Sequence, residues 1–497
     1  MGDWKMCRQI DPDHLIIPIF LLLSYFPLFL HLDGPPVFNW DESLFGMRML
    51  YLVDHGRLLT SFSEYEGVYP IGNYKPPLIT FLQALLFSLL GPDYLELSLR
   101  IPSALSTLGI LILFLGISKD LTSRFHLGIV SGLILITSGG FLNLHIARTG
   151  DHDAPLAFLN LAALLAIWQY QRSSHTQSGK WYLFIFTLLV VLAFLTKTIA
   201  AFFFFPGILA YLIWKKRLFT LLKDPWIYVS AFALAGAIGA YYAYMNTIFP
   251  DFFRSEGGQV LRYTKTLSGH THGFSYYLER LYTHSFFPWL LLLPFGIAQV
   301  VSHPKAPLKD LGLLFFLVCF FHYIIISFSA TKLSWYDAYV IPLLSFLAAL
   351  GLLRILRFAG NRLFPGKSSL QIGFWAVALV LIFLFPYRAT LNRVYHHQPE
   401  FRHDQFGLLI QATRGMPEFR EVSAYARRNT PQLALYKAIE KKRGRTIHIA
   451  HALKELPAHG FVLASHPARI DSLQQHFHTV LIRQKAECRL FQLNGRK

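Results

Sequence analysis

Leu311 to Ser329 reads LGLLFFLVCFFHYIIISFS, nineteen residues without a single Asp, Glu, Lys or Arg. As a helix it would rise about 28 Å, close to the roughly 30 Å hydrocarbon thickness of a bilayer. Working outward, comparable runs fall at Leu99–Ser118, Leu127–His145, Ala154–Tyr170, Trp181–Leu195, Ile199–Trp214, Ile227–Phe249, Phe286–Val301, Trp335–Leu356 and Ile372–Tyr387. Leu15–Leu32 precedes them and is followed by Asp33-Gly34-Pro35-Pro36 rather than by small residues fit for cleavage. It therefore reads as an uncleaved first span, not a signal peptide. The repeated runs imply an integral membrane protein, an all-α polytopic bundle of about eleven spans.

Composition agrees with that class. The chain of 497 residues is 54% hydrophobic and 15% charged. Its formal charge of +18 arises from 46 basic and 28 acidic residues, but the cations lie mostly in short loops and in the C-terminal stretch. Loop cations follow from positive-inside orientation, so no nucleic acid is expected as a partner. Cys7, Cys319 and Cys488 are too scattered for a disulfide framework or a metal knuckle.

Charge also orients the bundle. Pro76–Leu90 is short, opens Pro-Pro and ends Gly91-Pro92. If it is re-entrant or interfacial, the loops bearing Lys119/Arg124, Gln171–Lys180, Lys215–Lys223, Lys305/Lys309 and Arg354–Lys367 share one side with Lys5 and Arg8. That side is cytoplasmic by the positive-inside rule, as in a bacterial inner or a plasma membrane. Asp41-Glu42, Ala147–Asp153, Lys197, the loop at 250–285 and Thr331–Asp337 then face the outside. Two domains are expected: a membrane domain over residues 1–388, with surface helices in its first external loop (33–97), and a soluble α/β domain over 389–497. In the latter, Glu418–Lys442 and Asp471–His476 read as helices, and Thr446–Ala450, Phe461–Ser465 and Thr479–Arg483 as strands.

Chemistry-bearing residues concentrate on the external face. Asp41-Glu42 opens a stretch with Leu44, Met47, Leu50, Tyr51 and Val53 at mostly helical spacing, as in a helix lying on the membrane. Desolvation there would raise a carboxylate's basicity, whereas a helix N-terminus lowers it, and an ordinary surface helix also carries such acids. Arg148, Asp151 and Asp153 form a second cluster, in which Asp153 is also placed to cap a helix. Lys197 lies between two apolar runs without a hydrophilic loop, as a snorkelling or a phosphate-binding Lys; Lys75 and Lys332 pose the same choice. His270-x-His272 offers two metal-capable rings, which alone are not a site.

Taken in order, these motifs resemble the membrane glycosyltransferases that include the protein O-mannosyltransferases and the aminoarabinose transferase of lipid A. The resemblance rests on Trp40-Asp41-Glu42, Tyr74-Lys75-Pro76-Pro77-Leu78, Ser98–Ala104, Ala147-Arg148-Thr149 with Asp153, Leu195-Thr196-Lys197, His272–Tyr277 and Thr331–Tyr336. It implies a GT-C bundle and a polyprenyl-phosphate sugar donor. The acceptor it leaves as a protein, a lipid or a glycan. Asp41 matches the family's acid after the first span, Asp153 its second acid and Lys197 its Leu-Thr-Lys cation. The relatives' Glu-Lys-Pro is Tyr74-Lys75-Pro76 here, removing one metal ligand, so no cofactor is expected to be required; His272 keeps the loop pattern and leaves divalent-metal dependence open.

The expected reaction is a single displacement with inversion. Asp41 serves as base, with Glu42 or Asp153 orienting, and Lys197, Lys332, Lys75 and Arg280 are assigned to the carrier phosphate. Arg148, Asp151 and Tyr336 complete the candidate set. The competing readings are a transporter or flippase of lipid-linked sugars, against which the absence of an internal repeat speaks, and an inactive relative with a structural role.

Overall fold

The computed structural model describes residues 13–56, 63–65, 69–71, 75–142, 145–173, 177–248, 264, 269–303, 306–396, 406–427 and 430–497. Helices dominate up to Tyr395, because a buried backbone in an apolar medium must bond to itself. Among the described residues, six helices are long and apolar enough to cross a bilayer: Pro92–Thr122, Gly179–Phe202, Pro225–Ile248, Ala306–Phe328, Ile341–Leu363 and Ser368–Tyr395. A seventh span is added if Tyr276–Ser285 and Trp289–Ser302, bent by 108° at their break, count as one. Leu15–Phe29, Leu78–Leu90, His126–Thr137 and Phe205–Trp214 are apolar but shorter. The chain is an integral membrane protein, and these helices do not establish the expected eleven spans.

Breaks inside apolar runs account for much of the difference. The expected span from Trp335 starts only at Ile341, where Pro342 supplies the fixed φ of a first helical turn; the residues before it form turns. The run Leu127–His145 stops as a helix at Thr137 and resumes only as the single turn Gly139–Leu142. A Cβ on Gly139 would stand 2.5 Å from the His284 carbonyl oxygen, so the glycine pair lets the 281–285 segment lie against this break. Ile199–Trp214 is divided into a 3-10 stretch, Thr198–Phe202, and a helix of 10 residues, Phe205–Trp214. Leu78–Leu90, at 13 residues, is about 20 Å long and packs on the Asp41–His55 and Leu95–Thr122 helices.

The Ile341–Leu363 helix lies at the centre, packed against Leu293–Ser302, His126–Thr137 and Ala306–Phe328. Its contact with Leu293–Ser302 is backbone to backbone. A Cβ on Gly351 would meet the Leu292 oxygen at 2.2 Å, and one on Gly296 the Leu347 oxygen at 2.0 Å. Small residues permit such approach where van der Waals packing holds helices together. By contrast, only 6% of the apolar window of Ser368–Tyr395 is buried, which suits a helix whose outer surface meets lipid.

The last segment builds a mixed five-stranded sheet in the order β4-β3-β5-β7-β6, with β3 Glu421–Tyr425, β4 Thr446–Ala450, β5 His459–Ala464, β6 Phe477–Lys485 and β7 Cys488–Arg496; β1 Ser63–Tyr65 and β2 Tyr69–Ile71 form a separate pair. β3 runs parallel to β4 and β5, whereas β7 is antiparallel to β5 and β6. The expected helix Glu418–Lys442 is corrected here: its first half is a 3-10 turn and β3, and the helix proper is Pro431–Lys442. A strand buried between two parallel neighbours carries no alternation of polar and apolar residues, which removes the signal that separates it from a helix.

This sheet does not hang from the membrane part. Leu433, Leu435 and Ile439 share one apolar cluster with Val37, Leu44, Met47, Leu50, Leu95 and Leu99. The Val37 N–H donates to Tyr436 Oη at 2.9 Å, and that hydroxyl donates to Glu96 Oε1 at 2.9 Å. A Cβ on Gly46 would stand 2.7 Å from Leu435 Cδ2, so the helix carrying Asp41 is pressed against the C-terminal layer.

Candidate active site

The Asp41–His55 helix begins with its two acids in the first turn, where the free backbone N–H groups and the helix dipole favour negative charge. The two point to different tasks. Glu42 is buried and fully engaged: Arg100 donates to it through Nε at 2.8 Å and Nη2 at 3.0 Å, Gly150 N–H at 2.8 Å and Phe38 N–H at 2.7 Å. Arg100 spends its remaining donors on the carbonyls of Leu32, Pro35 and Pro36. The ion pair thus ties the first loop, the Leu95–Thr122 helix and the 145–152 loop together. Gly150 is required by that closeness, since a Cβ would stand 3.1 Å from Glu42 Cγ.

Asp41 is half-buried and faces the 145–152 loop. One ligand atom each from Asp41, His145 and Asp151 lie within 4.8 Å of one another. His145 Nδ1 is 3.3 Å from Asp151 Oδ1, and its ring stacks on Trp335 with centroids 3.9 Å apart. Burial raises the Asp151 carboxyl above its ordinary value; His145 draws it back and the charge of Asp41 pushes it up again. Two carboxylates and an imidazole in this spacing fit a divalent cation, which would relieve that repulsion.

Asp153 starts the next helix and is buried with two partners: Lys197 Nζ at 2.7 Å and Tyr339 Oη at 2.7 Å, both to Oδ1. Lys197 ends the Gln177–Lys197 helix and lies over the Tyr339 ring, 5.5 Å from its centroid. Between the acids, His152 stacks on Phe45 with centroids 4.3 Å apart, and Arg48 lies against the same ring. Burial, then the charges of Lys75, Lys197 and Arg48, hold His152 well below the ordinary imidazole value. Three cations therefore converge on one buried ring. In a chain whose loops face a membrane, such a collection stores attraction for an anion.

The loop 329–340 joins this region to a second group. Trp335 meets His145 and Tyr339 meets Asp153, while Lys332 N–H donates to the His270 carbonyl at 3.0 Å and Tyr277 Oη to the Leu333 carbonyl at 3.0 Å. The Lys332 ammonium is buried and turned onto the Ser329 carbonyl at 2.6 Å. Arg280 lies over the Tyr276 ring with a buried Nε that bonds to no described residue. Asp337 is fully buried, and neither carboxylate oxygen has a hydrogen-bond partner among the described residues. Burial raises its pKa to about 6, with the Arg280 charge opposing.

Of the residues expected from sequence, Asp41, Asp151, Asp153, Lys197 and Lys75 thus share one region; Lys332 and the buried Tyr336 belong to the 329–340 loop beside it, and Arg280, at the end of the Tyr276–Arg280 helix, acts on Asp337 of that loop. Arg148 donates to the Pro27 and Leu30 carbonyls, each at 2.8 Å, closing the end of the first helix. Burial, then Arg100, lowers its pKa to about 10. His272 is exposed and stacked on Tyr276, apart from the Asp41, His145 and Asp151 group. Tyr74 lies outside the described residues. Sequence reasoning missed His145, Tyr339, His152 and Arg48. Only Arg48 left a trace, as a cation four residues after Leu44 on the apolar face of its helix.

Residues 74–242 match the sequence model of the family described as dolichyl-phosphate-mannose-protein mannosyltransferase. No curated protein matches the chain by sequence. The fold is that of ArnT from Cupriavidus metallidurans. Its apo crystal structure gives a TM-score of 0.68 at 14% identity, over 97% of this chain and 98% of that one. ArnT bound to undecaprenyl phosphate gives 0.66 at 15% identity, over 96% and 98%. The Archaeoglobus fulgidus oligosaccharyltransferase in its apo form gives 0.53 at 14% identity, over 88% of this chain and 64% of that one. The chain thus joins an apolar helical bundle with the ArnT fold to a match, over residues 74–242, to the mannosyltransferase family model.

Proposed function

We propose that the chain moves a sugar from a polyprenyl-phosphate donor to a hydroxyl of a protein, lipid or glycan, on the non-cytoplasmic face. The observation that carries this reading is the convergence of Lys75, Lys197 and Arg48 on His152, beside Asp153 and the half-buried Asp41. The carrier phosphate belongs with those cations, and Lys332 of the 329–340 loop and Arg280 of the Tyr276–Arg280 helix are its further proposed partners. The undecaprenyl phosphate bound by the fold-matched ArnT supports the choice of carrier.

Transfer is a single displacement. The acceptor oxygen attacks the anomeric carbon on the face opposite the phosphate as the carbon–phosphate-oxygen bond breaks, so configuration inverts. Asp41 takes the acceptor proton, and the cations stabilise the negative charge that develops on the carrier phosphate. Asp153 holds Lys197 in place, and Glu42 acts through structure by fixing the helix from which Asp41 projects. A divalent cation held by Asp41, His145 and Asp151 would supply further positive charge, and Asp41 would then bind it rather than act as base. The like-charge repulsion at Asp151 favours that second reading.

The test is incubation of the purified full chain with undecaprenyl-phosphate hexoses, with and without added Mn²⁺, reading hydrolysis or transfer. Donor cleavage that requires Asp41 and Lys197 is expected. Absence of cleavage with every donor, together with transbilayer movement of one of them, would move the chain to the flippase reading.

A further inference from the structure

His152 has a defined tautomer and an unused nitrogen. Its Nδ1 is 3.0 Å from the Thr196 carbonyl oxygen, which can only accept, so Nδ1 carries the proton of the neutral ring. Nε2 then presents a lone pair. That atom is buried and bonds to no group among the described residues. The stack on Phe45, at an interplanar angle of 20°, and the Thr196 contact together fix where the lone pair points.

The surroundings restrict what Nε2 can meet. Lys75, Lys197 and Arg48 favour an anion close by, but a phosphate oxygen facing Nε2 would set one acceptor against another. A ligand that satisfies both the cations and the lone pair carries an anionic group and, next to it, an O–H donor. A sugar joined to a phosphate has that pattern. We propose that His152 Nε2 accepts a hydrogen bond from a hydroxyl of the sugar to be transferred, making His152 a residue that reads the sugar beside the carrier phosphate. The inference rests on the donor reading above and adds a specificity contact to it. A site built to bond a hydroxyl rejects ligands lacking it far more sharply than an apolar pocket rejects a size change.

The experiment compares binding of bare undecaprenyl phosphate with that of undecaprenyl-phosphate mannose, glucose and galactose, using the full chain in nanodiscs. The monodeoxy derivatives of whichever hexose binds complete the set. The wild type should prefer its hexose donor over the bare carrier by about 10–100-fold and lose that preference for one monodeoxy derivative. His152→Phe, which keeps an aromatic ring against Phe45, should bind hexose donor and bare carrier alike, with the carrier affinity unchanged. His152→Gln, whose amide oxygen can take the place of Nε2, should restore part of the preference; if His152→Phe does not fold, His152→Gln and the deoxy series decide alone. A His152→Phe protein that keeps the sugar preference, or that loses the bare carrier in equal measure, overturns the inference while the donor reading stands. A wild type that binds neither carrier nor donor overturns the donor reading itself, and the inference with it.

Discussion

Arg100 grips Glu42 with two donors, Nε to Oε1 at 2.8 Å and Nη2 to Oε2 at 3.0 Å, while the neighbouring Asp41 is left half-exposed. Adjacent acids thus divide into a fastener and a group free to meet substrate. Removing one partner of a buried pair strands the other charge, at a cost of about 3–5 kcal/mol. Glu42→Gln should accordingly lower the thermal midpoint of the detergent-purified protein sharply. If Glu42→Gln melted like the wild type yet turned over no donor, Glu42 would belong to the chemistry instead.

Asp41→Asn should behave in the opposite way. Its side chain holds little of the fold, so the melting temperature should stay near that of the wild type and donor binding should persist. Transfer to a hydroxyl acceptor should fall by about 10²–10⁴-fold, the usual contribution of a positioned base. Full activity in the properly folded variant would remove Asp41 from the base role.

Lys197 serves both Asp153 and, in the proposed reaction, the carrier phosphate. Lys197→Ala should raise the KM for donor by about 10–100-fold, as expected for loss of a charge-assisted bond. Tyr339→Phe removes a neutral donor from Asp153, so its effect should stay below about 10-fold. Steady-state kinetics at varied donor concentration would separate the two, and equal effects would contradict the division of labour.

Asp337 gives a pH signature outside the proposed chemistry. Its folded pKa of about 6 lies above the ordinary aspartate value, so the folded state binds the extra proton and is favoured at low pH. That contribution is complete below about pH 4 and is lost as pH rises through about 6. Asp337→Asn cannot titrate, so its stability relative to wild type should improve as pH rises from about 4 to 7. Thermal unfolding across that range would show it, and parallel curves for the two proteins would refute it.

Much of the fold was legible because hydrocarbon imposes a long, charge-free pattern that few other environments require. The pattern reports polarity, not backbone continuity, and so it missed the break before Ile341 and the glycine interruption after Thr137. The co-location of Asp41, Asp151, Asp153 and Lys197 followed from chain order across helices, which alternate faces. The partition between Asp41 and Glu42 did not, because it depends on Arg100 and on a Gly150 N–H that lies 108 residues away. His145 was invisible for the same reason: one His at the end of an apolar run signals nothing until Trp335 and Asp151 are folded against it. In the C-terminal sheet, β3 was hidden by the uniform burial that its central position demands.

The joint between Tyr436 and Val37 sets an order of events in biosynthesis. These residues are 399 positions apart, and the helix bearing Asp41 shares its apolar contacts with the C-terminal layer. A ribosome-bound chain therefore threads its whole helical bundle into the bilayer before the floor beneath Asp41 exists. The support of the Asp41 helix is therefore assembled only after the helices that precede Tyr436 have been made.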